Sequence, residues 1–144
     1  MLEKSLAHMH WANARIHEWL KPGRASAEEH AKLASHILNA EKVWISRAKS
    51  IPSDPHAFTL RSLDEMSALN DANHAGFLDL LKKDIARPIP YRMFSGSPGS
   101  TSIEDMILHV FTHGFHHAGQ MAALASRNGE KFPDVSYIGF TRSR

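Results

Sequence analysis

The sequence predicts an all-α fold, a four-helix bundle, on three observations. Apolar residues recur at three- and four-residue steps in four separate segments. Three of those segments begin at a serine followed three residues later by Glu or Asp, and all seven prolines fall outside the segments. Four helices of about 20 residues each would lift the helix content far above the usual one-third. At 144 residues the chain is expected to be one domain, 1–144, large enough to bury a core.

Taken in order, Leu2, Leu6, Met9, Ile16 and Leu20 form one face of a first helix, and "KPG" at Lys21 to Gly23 ends it. Ser26 with Glu29 reads as a capping box that opens a second helix running to about Lys49. "SIPSDPHAF" is a loop. Ser62 with Glu65 opens a third helix to about Lys83, carrying Met66, Leu69, Phe77, Leu80 and Leu81. "ARPIPYRMFSGSPGSTS" is a connection in which any strand is short and edge-like, or an irregular or short-hairpin segment. Ser102 with Asp105 opens the fourth helix, and Asn128-Gly129 closes it as a left-handed C-cap. The tail "KFPDVSYIGFTRSR" is expected to be irregular but apolar enough to pack on the bundle.

Composition narrows the function classes. Seventeen Lys plus Arg against fifteen Asp plus Glu leave a formal charge of +2, with no basic stripe or docking motif, which argues against a nucleic-acid partner. No long apolar run occurs, so no membrane association and no cleaved leader are expected. The absence of cysteine excludes disulfides and thiolate metal sites and favours a cytoplasmic location. Any transition metal must be held by nitrogen and oxygen. Histidine is the abnormal count, eleven residues.

The apolar stripes contain polar interruptions. Position 13 of the first stripe is Asn13 and position 73 of the third is Asn73, both near mid-helix and facing the predicted core. An unpaired buried amide costs about 1–3 kcal/mol, so each needs a polar partner. In the fourth helix Ile103, Met106, Ile107, Val110, Met121 and Leu124 share a face, with His117 inside that arc and His113 at its edge. His109 and His116 lie further round.

Within "HVFTHGFHHAGQ", His113 and His117 are four residues apart, as are His109 and His113. Two imidazoles so spaced stack on one helix face and can converge on one ion. The plain alternative is a polar helix flank. A third ligand must come from another helix, and His36 and His30 compete for that role. His30 lies closer to the centre of its stripe, but near a bundle end; His36 is mid-helix, beside Leu33, Ile37, Ala40 and Trp44, and is preferred. His10 and His17 flank the first stripe and are expected at the surface, with support of the ligating histidines as the alternative. His8, His56 and His74 are expected on the surface or in loops, and Trp11, Trp19 and Trp44 as packing anchors.

Four stretches, "HMHWANARIHEWL", "ASHILNAEKVWISR", "HVFTHGFHHAGQMAALASRNG" and "PDVSYIGFTR", resemble the DinB/YfiT-like superfamily over the whole chain. The resemblance implies a four-helix bundle with an irregular segment between the third and fourth helices, and a divalent metal held by three histidines. Carried over by motif, the ligands are His36 of "SHI" and His113 and His117 of "THGFHH". The chain departs from many relatives in having Thr112 before the second ligand and Ala118, not Arg, after the third. The missing arginine removes a charge that could hold an anionic substrate. The family's name derives from a damage-inducible gene and does not imply DNA binding.

Relatives include transferases and isomerases that use low-molecular-weight thiols, and hydrolase-like members. The resemblance therefore implies a metal-dependent thiol S-transferase acting on a small-molecule substrate in detoxification or stress response. Metal-dependent hydrolysis, or a non-catalytic metal-binding or interaction protein, are the alternatives. Zinc is the expected ion, with nickel a second occupant. Asn13, Asn73, Glu41 and Gln120 are candidates to fix the imidazole tautomers. Glu41 and His116 are candidate general bases by sequence proximity alone, and the catalytic residues stay unassigned. A homodimer is expected from the resemblance and from the prevalence of twofold oligomers.

Overall fold

The computed structural model describes residues 1–20, 24, 26–52, 56–93 and 95–144. The chain is mainly helical, with five helices and one two-stranded sheet among those residues: α1 Leu2–Trp19, α2 Ala27–Ala48, α3 Leu63–Leu81, β1 Pro88–Arg92, β2 Pro98–Ser102, α4 Ile103–Arg127 and α5 Tyr137–Arg142. The four long helices pack around a square in the order α1–α3–α2–α4, so that the sequence neighbours α1 and α2 lie on a diagonal. No helix among the described residues is long and apolar enough to cross a membrane.

The capping serines explain most of the boundaries. Ser62 Oγ accepts the Glu65 N–H and Ser102 Oγ accepts the Asp105 N–H, each satisfying a donor that the first helical turn leaves free. At the far end of α4, Gly129 takes φ +69°, the Glu130 N–H reaches Ala125 O at 2.8 Å and the Gly129 N–H reaches Ser126 O at 3.1 Å, the Schellman pattern expected at Asn128-Gly129. Ser26 departs from expectation. Its backbone is left-handed, φ 56°, and its side chain makes no cap; instead its Oγ accepts from Asn128 Nδ2 at 2.8 Å, joining the start of α2 to the end of α4. The expected breaker at Lys21 to Gly23 lies outside the described residues, and α1 ends at Trp19.

Two apolar clusters fill the interior. One gathers Leu6, Phe77, Leu80, Ile89, Met106 and Ile107, the other Ile16, Leu38, Met66, Ala118 and Met121. A polar layer joins α1, α2 and α3. Asn13 Nδ2 donates to Glu41 Oε1 at 3.0 Å and to Asn70 Oδ1 at 3.1 Å, while Asn73 Nδ2 donates to Glu41 Oε2 and to Leu38 O, both at 3.0 Å. Asn13 and Asn73 thus share one buried carboxyl, Glu41 of α2, the helix diagonal to α1 and adjacent to α3.

The connection between α3 and α4 is a hairpin, with β1 and β2 antiparallel and Tyr91 opposite Gly99. The tail corrects the expectation of irregular chain. Ser136 Oγ accepts the Gly139 N–H and starts the six-residue α5, too short to show a periodicity in sequence. A Cβ at Gly139 would stand 2.5 Å from Asp134 Oδ2, so any larger residue there would displace that carboxylate. The tail covers α1, and this buries His8, which was expected at the surface. His8 is 3% exposed among Phe111, Phe115, Tyr137 and Phe140, and its Nε2–H donates to Val135 O at 2.8 Å.

Candidate metal centre

Helix α2 presents His36 half-buried toward α4. Its Nδ1 lies 3.0 Å from Ala57 O. A carbonyl can only accept, so Nδ1 carries the proton and neutral His36 leaves the Nε2 lone pair bare. The segment that supplies this carbonyl is fastened to α2 on both sides. Asn39 Nδ2 donates to Ala57 O and Thr59 O, Asn39 Oδ1 accepts from Arg61 Nε, and the Arg61 N–H donates to Ser35 Oγ. Phe58, from the same segment, stacks on the His36 ring.

Helix α4 presents His113 and His117 one turn apart. His117 Nδ1 lies 2.7 Å from Gln120 Oε1, so its proton is held there and its Nε2 is bare as well. The three Nε2 atoms converge: His113 is 3.2 Å from His36 and 3.1 Å from His117. All three donors lie within 4.8 Å of one another. A tetrahedral ion with nitrogen at 2.0–2.1 Å sets neighbouring donors about 3.3 Å apart. The spacing fits a divalent metal.

The electrostatics agree with that donor set. His113 is pushed down to about 4, first by burial and then by the neighbouring His117, His36, His109 and His116. His36 is also held below the usual imidazole range by burial, which outweighs the opposing bond to Ala57. One proton on His113 Nε2 could serve only one of the two lone pairs that face it. A cation at the centre serves all three, and neutral imidazole is the ligating form.

A model of the DinB family matches residues 1–144, the whole chain. The chain belongs to the DinB family. No curated protein matches it.

In this DinB-family chain two of the three histidines, His36 and His113, line a cavity of about 430 Å³. Its walls include Ala40, Val43 and Trp44 of α2 and Tyr91 and Met93 of the hairpin, with Arg47 and His109 also facing in. Trp44, expected only as a packing anchor, packs on the first cluster with one part and lines this cavity with another. Arg47 and the hairpin residues were not singled out in the sequence. Spacing could have found Arg47, since residues 36, 40, 43, 44 and 47 share a helical face; Tyr91 depends on how the hairpin folds back.

Other candidates fall elsewhere. His30 is fully buried edge-on to Trp19, away from the three histidines. Glu41 and the asparagines at 13 and 73 belong to the polar layer and touch none of the imidazoles, so of the four proposed tautomer-fixing residues only Gln120 does so. His116 is exposed and meets only the His117 ring, 5.2 Å between centroids, and does not line the cavity. His10 pairs with Asp71 and stacks on His74. His17 is half-buried rather than at the surface, and its imidazole is pushed down to about 4, first by burial and then by His10. Thr112 Oγ donates back to Leu108 O and His109 O of its own helix. Ala118 is buried in the second cluster, 4% exposed, so the position after the third histidine faces the core here.

Proposed function

We propose that the protein binds one divalent metal, zinc first, through His36, His113 and His117, and uses it as a transferase for a low-molecular-weight thiol. The observation that carries this reading is the convergence of three Nε2 atoms, two of them from residues that line an apolar cavity. Three protein ligands leave a coordination position open for a reactant. A metal held there supplies a Lewis acid that draws the acidity of a thiol or water toward the neutral range. The apolar walls of Val43, Trp44 and Met93 exclude water from the reacting atoms, and the absence of protein cysteine leaves the sulfur to the cosubstrate. In the transfer the thiol loses its S–H proton to solvent water, the sulfur lone pair forms a new C–S bond, and the electrophile's leaving group departs with the electron pair of the bond that breaks. Gln120 and Ala57 hold the two outer imidazoles in the ligating tautomer throughout.

Hydrolysis is the second reading, favoured by His109, an imidazole on the same cavity that can accept a proton from an attacking water. Elemental analysis of tag-free protein beside His117→Ala is the first test. About one equivalent of metal in the wild type, lost in the variant, is the expected result. No uptake after incubation with zinc or nickel would overturn the reading. Thiol consumption that needs both metal and His117 then separates transfer from hydrolysis and from a non-catalytic metal-binding protein.

A further inference from the structure

Among the described residues, Arg47 is the only one lining the cavity whose side chain carries a permanent charge. It stacks over Trp44, 4.5 Å from the ring centroid, and over Tyr91 at 5.1 Å. Its single described hydrogen bond runs from Nη2 to Arg92 O at 3.2 Å, which leaves most of its five N–H donors for other partners. None of the described ion pairs involves it. Burial draws its acidity against the charged form. A partly desolvated cation without a counter-charge is costly, and an anion entering the cavity would offset that cost.

Arg47 is three helical turns beyond His36 on the same face, about 16 Å along the axis, and its stem leans back over Trp44 toward the histidines. One end of the cavity thus offers ligating nitrogens and the other a planar, bidentate anion receptor, with apolar walls between. A single guanidinium, with no second fixed cation on the cavity wall, matches a monoanion better than a phosphate dianion.

We propose that Arg47 is an anion subsite and that the substrate class of this cavity is a small organic carboxylate with an apolar body. The carboxylate pairs with the guanidinium, the body rests on Trp44, Val43 and Met93, and the far end reaches the histidines. This inference deepens the reading of the site as catalytic and rests on it only for the role of the far end.

The test is binding of 3-phenylpropanoate and its neutral amide to chelator-stripped protein, followed by calorimetry, so that metal plays no part in the affinity. The carboxylate is expected to bind roughly tenfold more tightly than the amide. Arg47→Gln should abolish that preference and Arg47→Lys should keep part of it. Raising the ionic strength should weaken the carboxylate and not the amide in the wild type, a readout that stands even where a variant folds poorly. Equal affinities, a preference that survives Arg47→Gln in a folded variant, or no saturable binding of the carboxylate overturns the proposal. Failure of the metal reading would leave the carboxylate preference intact and appear only as a lack of zinc uptake.

Discussion

The ring of Phe58 lies flat on that of His36, with centroids 4.4 Å apart and 6° between the planes, although Phe58 is 76% exposed. An exposed phenylalanine contributes little to stability, but this one covers a face of a proposed ligand. Phe58→Ala is expected to change unfolding free energy by less than about 0.5 kcal/mol and to speed metal loss to a chelator by roughly tenfold. Stopped-flow chelation beside urea unfolding measures both. An unchanged release rate would show that the ring does not shield the site.

Gln120 accepts the Nδ1 proton of His117 and so fixes which nitrogen faces the centre. Gln120→Ala is expected to lower zinc affinity by about 10–100-fold with the fold intact. Gln120→Glu, which keeps an acceptor, should restore most of it. Competition with a chromophoric chelator reads the difference; equal affinity in Gln120→Ala would mean that the tautomer is set by other means.

Glu41 makes stability depend on pH. Burial pushes its carboxyl from 4.5 up to about 7, against the pull of the Asn13 and Asn73 donors. Between those values the folded chain binds a proton that the unfolded chain has released. The contribution is therefore complete below about pH 4.5 and is lost as pH rises through 7, up to about 3 kcal/mol in all. Glu41→Gln cannot ionise and lacks this slope. Urea unfolding of both proteins at pH 5 and pH 8 is expected to show the wild type losing ground to the variant at the higher pH. The histidine contributions, which run in the opposite sense, are common to both and cancel.

Gly99 faces Tyr91 across the hairpin, and a Cβ there would stand 2.7 Å from Tyr91 Cζ. Gly99→Ala is expected to push the Tyr91 ring off Trp44, whose centroid is 4.9 Å away. Loss of the NOE between the two rings, with α-helical circular dichroism unchanged, is the expected signature. A retained NOE would mean that the strand pair shifts instead.

Much of the fold and of the site was legible because helical spacing is local information. The serine caps at 62 and 102 and the Asn128-Gly129 stop need only a turn of helix to define them, and His113 and His117 are neighbours by periodicity alone. Asn13 and Asn73 declared a polar layer because an amide on an apolar stripe demands a partner. The partner itself was less visible: Glu41 pairs across the diagonal of the bundle, and nothing local says which helices are diagonal. Ser26 and Glu29 have the spacing of a cap, but Ser26 sits in a left-handed turn and its hydroxyl is bonded to Asn128 instead. His8 was misread because its cover, α5, is a single short helix without a periodic signal. Arg47 and Tyr91 acquire their meaning only when the hairpin closes over α2.

The cavity draws its two halves from different kinds of chain. The imidazoles stand on α2 and α4, inside a packed framework, whereas Tyr91 and Met93 belong to a hairpin with only two strands. Ile89 ties the hairpin to the core, whereas Tyr91 and Met93 are more exposed and can be exchanged with less effect on the helices that carry the imidazoles. The shape of the cavity mouth can thus vary at Tyr91 and Met93 while the three imidazoles keep their places.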